Sequence, residues 1–133
     1  MELRKINMKI IIYISSEYSK APDPLQAALR QIKVAHILLK HGIGFEAPLM
    51  GHYINEQYYH KYDIWMKLAI EKLSRSDAIL RLPDKYGMSS GAESEVDEAQ
   101  KLGKPIFHVL RNCIDWAISE ELAKVNVLIH EKT

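Results

Sequence analysis

Apolar runs and amphipathic stripes alternate along the chain. Lys9–Ile14 is a continuous apolar run rich in β-branched residues. It predicts a strand covered on both faces, hence the centre of a parallel sheet. A loop over residues 15–24 follows, with hydroxyls, two prolines and Asp23 favouring turns and a helix start. From about Pro24 to Lys40, residues Leu25, Ala28, Leu29, Ile32, Ala35, His36 and Leu39 fall on one helical stripe, and Gly42 is placed to end the helix. On that stripe His36 reads as a satisfied core histidine rather than a ligand. A short strand is expected over Ile43–Ala47. A helix from about Glu56 or Tyr59 to Leu73 carries Tyr62, Trp65, Met66, Ala69 and Leu73 on one stripe. Ala78–Leu82 reads as the next strand. A helix after Ser90 stops at Gly103, and Lys104–Leu110 reads as a further buried strand with Pro105 near its start, where it is tolerated. Cys113–Ala123 reads as a last amphipathic helix. Val125–His130 is expected as a fifth strand or a tail laid on the sheet.

The alternation predicts an α/β fold: a doubly wound, flavodoxin- or Rossmann-like three-layer sandwich around four or five parallel strands. The strand-to-helix loops 15–24, 48–56 and 83–91 then share one end of the sheet, where ligands bind in this class. The 133 residues suit one domain without a linker, and Met1–Met8 reads as a short charged leader prone to fraying. A net charge of +1 gives no signal for a nucleic-acid polymer or a membrane surface. No apolar run reaches the ~20 residues of a membrane span. The lone Cys113 cannot form an internal disulfide, which fits a reducing, cytoplasmic setting.

The candidate chemistry gathers at the helix after Ser90. At about 100° per residue, Glu93 and Asp97 face solvent, while Glu95 falls in the apolar stripe of Ala92, Val96 and Ala99. A carboxylate there is costly unless something pairs or uses it. Three readings fit Glu95: a surface residue of a slightly rotated helix, a partner for a buried Arg, or a functional carboxylate. Ser90 and Glu93 have capping-box spacing, and a helix start with Ser89 and Gly91 also suits an anion such as a phosphate. Neither a Walker loop nor a GxGxxG fingerprint is present. His41, His52 and His60 lack the Cys or Asp neighbours of a zinc site, so no metal is expected. Tyr53, Tyr58, Tyr59, Tyr62 and Tyr86 lie in or near connecting segments, where they fit a planar ligand, a subunit contact or simple lids on the core.

Four blocks in order resemble nucleoside 2-deoxyribosyltransferase-like proteins, in particular a short, little-characterised branch of that superfamily. They are Ile12–Ser19 at the first strand end; Phe45–Pro48 followed by His52; Trp65 followed by Ser76–Leu80; and Ser89–Ala99 followed by Leu102–Pro105. The resemblance runs from about Lys9 to Val109, and the last block is its most specific part. It implies that Glu95 is a nucleophile attacking C1′ of a nucleoside or nucleoside 5′-monophosphate, so that a base leaves and a glycosyl ester forms. A second base or water then resolves the ester. It also implies that Ser89, Ser90 and Gly91 hold a 5′-phosphate, that Tyr13, Ser15 and His52 line the pocket, that no cofactor is needed, and that a neighbouring subunit completes the site in a homo-oligomer, a dimer or tetramer.

Two positions depart from the family pattern. Glu17 stands where many relatives have Pro, and Ala69 where many carry an Asp that orients substrate; Asp63 or Glu17 are the candidate substitutes. The departure at Ala69 motivates a second expectation, a non-catalytic nucleotide-binding or sensing domain. A phosphoacceptor signalling module is a weaker third, because Asp84 lacks an acidic cluster after the first strand.

Overall fold

The computed structural model describes residues 9–18 and 23–131, with side chains described up to Lys124. The Met1–Met8 leader lies outside the described residues.

Four strands form a parallel sheet in the order β2-β1-β3-β4: β1 (Ile11–Ser15), β2 (Gly44–Glu46), β3 (Ala78–Arg81) and β4 (Ile106–Phe107). Among the described residues five α-helices accompany it: α1 (Pro24–Lys40), α2 (His52–Gln57), α3 (Tyr62–Ser74), α4 (Ser90–Lys101) and α5 (Leu110–Glu131), with a 3-10 turn over Pro48–Gly51. The chain steps from β1 outward to β2, then crosses back to β3 on the other side of β1. That reversal makes the carboxyl ends of β1 and β3 the switch point of the sheet, where a crevice opens between diverging connections. Among the described residues no helix is long and apolar enough to cross a membrane.

The two-residue side-chain period of β1 assigns its neighbours. Ile12 and Ile14 face one layer with Ala35, Leu38, Leu80, Cys113, Ile114 and Ala117, so α1 and α5 cover this side. Tyr13 faces the other layer with Ala69, Leu73, Ile79 and Ala99, so α3 and α4 cover that one. Residues 12–15 are all fully buried, which is why this segment reads as an unbroken apolar run rather than an alternating one.

Several elements differ from expectation. The buried face of α1 is Ala27, Ala28, Gln31, Ala35 and Leu38, whereas Leu25, Leu29 and His36 are exposed. The rotation follows from Gln31. Its amide donates to the Ile14 carbonyl (3.1 Å) and the Ser16 hydroxyl (2.9 Å), and its oxygen accepts from the Leu49 amide (3.1 Å). A fully satisfied polar group is cheap to bury and draws that face inward, so His36 is not a core histidine. Asp23 caps α1 by accepting from the Leu25 amide, with Pro24 in the first turn. Gly42 and Gly103 follow α1 and α4 with φ of 72° and 69°, the left-handed conformation that glycine adopts without penalty.

The third helix starts at Tyr62, since Asn55 accepts from the His60 amide (2.8 Å) in a turn that separates α2 from α3. The last strand is only two residues long and half-buried at the sheet edge. There is no fifth strand over Val125–His130: α5 continues through it, because no Gly or Pro interrupts the helix after Ala123. Helical continuity outweighs the β-branched composition of this stretch.

Candidate functional site

Glu95 sits on the second turn of α4 and faces the sheet, only 6 % exposed. The reading as a surface residue on a rotated helix is excluded. On β1 the period of two points Tyr13 and Ser15 to the same face. The Tyr13 hydroxyl donates to Glu95 Oε2, and the Ser15 hydroxyl donates to Oε1 at 3.0 Å. Each carboxylate oxygen therefore has its own donor from the central strand. Sheet register sets Arg81 beside Ser15 on β3. Arg81 is not the ion-pair partner of Glu95: its guanidinium pairs with Asp84 at 2.6 Å, lies 3.5 Å from Glu93, and donates to the Leu82 carbonyl, while its Nε is buried without a partner.

Burial pushes the Glu95 carboxyl up from 4.5 to about 7; the hydrogen bonds from Tyr13 and Ser15 and the nearby charge of Arg81 oppose that rise. Burial and the adjacent Glu95 raise the Tyr13 phenol far above its ordinary value. The shared proton thus stays on the phenol, and Glu95 is the acceptor of the pair.

Beyond Glu95 a cavity of about 710 Å³ opens between α4, α3, α2 and the 3-10 turn. Its wall includes Tyr18, His52, Trp65, Met66, Ser89 and Gly91. Mostly apolar walls with a few convergent polar groups are the usual make-up of a small-molecule site. Two glycines give the wall its shape. A Cβ at Gly91 would stand 2.9 Å from the Tyr62 hydroxyl, and one at Gly51 would stand 2.7 Å from the Trp65 ring. Asn55 fixes Trp65 by accepting from its indole nitrogen at 3.0 Å.

The structure divides the residues singled out by sequence. Glu95, His52, Ser89 and Gly91 line the cavity. Tyr13 and Ser15 stand behind Glu95 rather than in the wall, and act on the cavity through it. Ser89, not Ser90, is the N-cap of α4: its hydroxyl accepts from the Ala92 amide at 3.2 Å. The Ser90–Glu93 capping box does not form; Ser90 is the first helical residue and is exposed, and Glu93 turns toward Arg81. Asp63 is exposed in the first turn of α3 and is absent from the lining. Glu17 is buried, but away from the cavity. It accepts from the Lys85 and Tyr86 amides and lies 3.4 Å from Arg30, fastening the β3–α4 loop. Ala69 is in the cavity wall, a methyl group with no hydrogen-bonding capacity.

Sequence reasoning passed over Tyr18, Glu56 and Arg81. The His52 Nδ1 lies 2.6 Å from the Tyr18 hydroxyl, and its Nε2 lies 2.9 Å from a Glu56 oxygen. The spacing of four from His52 to Glu56 on a helix was the available signal. For Arg81 the signal was a cation inside an otherwise apolar strand.

Fold and site together define a doubly wound α/β protein with a buried, strand-anchored carboxylate in a cavity at its switch point. The chain belongs to the family described as Domain of unknown function (DUF4406), which matches residues 10–108 and so spans every strand and the whole cavity. No curated protein matches the chain.

Proposed function

We propose that the protein cleaves or transfers the N-glycosidic bond of a nucleoside or nucleoside 5′-monophosphate, with Glu95 attacking C1′. One observation carries this reading. A carboxylate buried to 6 % exposure is held by two donors behind it and opens onto an aromatic-walled cavity. A carboxylate nucleophile needs that combination: poor solvation, fixed orientation and room for a sugar and a planar base. The ordered likeness to nucleoside 2-deoxyribosyltransferase-like proteins supports the same assignment. In this reading Ser89 and Gly91, which line the cavity at the start of α4, receive the 5′-phosphate on the helix N-terminus. The test is release of free base from a panel of nucleosides and 5′-monophosphates, with and without an added acceptor base to separate transfer from hydrolysis. Glu95→Gln is expected to lower release by about 10³-fold or more; equal activity in that variant would remove Glu95 from the role.

A second reading, a non-catalytic nucleotide-binding or sensing domain, is favoured by the Ala69 methyl in the wall and by a Glu95 carboxyl that is largely protonated below about pH 7. Tight binding of a nucleotide that stays intact on long incubation supports it, and base release eliminates it.

We also propose assembly into a homo-oligomer, a dimer or tetramer. Tyr58 and Tyr59 are 75 % and 77 % exposed beside the cavity, and Tyr53 and Tyr62 are exposed nearby. Exposed aromatic groups clustered this way suit a subunit contact. Sedimentation of the intact chain checks it; a monomer at every concentration would refute it.

A further inference from the structure

A departing base needs a proton, and the cavity walls narrow the choice of donor. Lys72 and Glu46 neutralise each other at 3.3 Å. Tyr59 and Tyr62 are largely in solvent, and exposed His60 stands edge-on to the Trp65 ring. His52 differs, because its side chain is only 8 % exposed. Its Nδ1 is 2.6 Å from the Tyr18 hydroxyl. Its Nε2 lies 2.9 Å from Glu56 but out of line for a hydrogen bond, so this nitrogen is buried with no hydrogen-bond partner. The Glu56 carboxylate is 56 % exposed. A carboxylate, an imidazole and a phenol therefore run in series from solvent to the cavity wall. Burial and the charge of Glu56 raise the Tyr18 phenol above its ordinary value, so its hydroxyl keeps its proton at neutral pH.

We propose that Glu56, His52 and Tyr18 form a proton relay that ends at the Tyr18 hydroxyl and protonates the leaving base. This rests on the glycosidic reading above. In the first half-reaction a Glu95 oxygen bonds to C1′ as the C1′–N bond breaks, and its electron pair passes to the base. The Tyr18 proton moves to a base nitrogen, His52 Nδ1 returns a proton to the phenol, and a proton from solvent replaces it at Nε2 by way of Glu56. In the second half, water or an acceptor base attacks C1′ and the ester pair returns to Glu95. The surplus proton then passes through Tyr18, His52 and Glu56 back to solvent. Tyr18 is the catalytic group in this relay; His52 and Glu56 position and recharge it.

The test compares two substrates of the same sugar: the purine nucleoside turned over best, and its N7-methylated analogue, whose cationic base leaves without a proton. In Tyr18→Phe and His52→Gln, release of the ordinary purine is expected to fall by about 10²-fold or more. Release of the methylated base is expected to fall at least about tenfold less than that of the ordinary purine, because its departure needs no proton. Glu56→Gln, at an exposed helix position, gives a smaller loss with the same selectivity. Equal loss on both substrates, in variants that melt like wild type, overturns the relay and leaves the glycosidic reading standing. Absence of base release by the wild-type protein overturns that reading, and the relay with it.

Discussion

The two faces of the sheet use the same strands to opposite ends. On the α1/α5 side, β1 contributes Ile12 and Ile14 and β3 contributes Leu80, all fully buried among apolar side chains. On the α3/α4 side, the alternate positions of the same strands are Tyr13 and Ser15 on β1 and Ile79 and Arg81 on β3, and α4 adds Glu95. The first face follows the rule that interiors are apolar and close-packed. The second breaks it near the carboxyl ends of the strands, where the switch point opens a crevice. Stability is concentrated on one face and chemical potential on the other, so substitutions on the two should separate the two properties.

The largest stability effect is expected on the apolar face. Ile14→Ala should destabilise by about 2–5 kcal/mol, the usual cost of removing a packed branched side chain, while activity per folded molecule stays close to wild type. Denaturant melts paired with single-turnover assays measure both. A proportional loss of specific activity would show that the faces are not separable.

On the polar face the sign reverses. The Glu95 carboxyl is raised above its ordinary value, so folding favours its protonated form. That stabilisation is fully present below about pH 4.5 and is lost as pH rises through about 7, above which the buried charge weakens the fold. Glu95→Gln removes the charge and should stabilise the protein by up to roughly 3 kcal/mol above pH 7, with the gain shrinking toward pH 4.5. Melting temperatures across that range check it. A variant less stable than wild type at pH 8 would contradict the buried-charge account.

The smallest effect tests the link between strand and site. Base release should rise with pH as Glu95 ionises near 7. The Tyr13 hydrogen bond opposes the upward shift of Glu95, so Tyr13→Phe should move this limb to higher pH. At neutral pH, release should fall by up to about tenfold and recover on the alkaline plateau. An unmoved limb would mean that Tyr13 packs against Glu95 without tuning it.

Much of this second face was legible beforehand, and the failures have causes. Helical periodicity alone turned Glu95 inward, and the apolar run at Ile10–Ile14 marked a central strand. The Ser90–Glu93 spacing matched a capping box, yet adjacent Ser89 takes the cap. Two neighbouring serines satisfy the same local pattern, and the path of the loop chooses between them. Glu17 is acidic and near a strand end, as a substrate ligand would be, but its partners are backbone amides 68 and 69 residues away. No side-chain pattern announces such a bond. Gln31 rotated α1 for the same reason, since its partners lie on β1 and at Leu49.

The sequence by itself determined the alternation of elements, the parallel sheet and the inward face of α4, because two-residue and 3.6-residue periods are local properties of the chain. Only the tertiary structure decided which groups meet. Tyr13 and Glu95 are 82 positions apart, and Tyr18 and His52 are 34 apart. Their contacts exist because the order β2-β1-β3-β4 brings the end of β1 beside α4 and the turn before α2. Glu95 was readable as a residue with a purpose; its hydrogen-bond donors, its raised carboxyl and the relay across the cavity come from the packing around it.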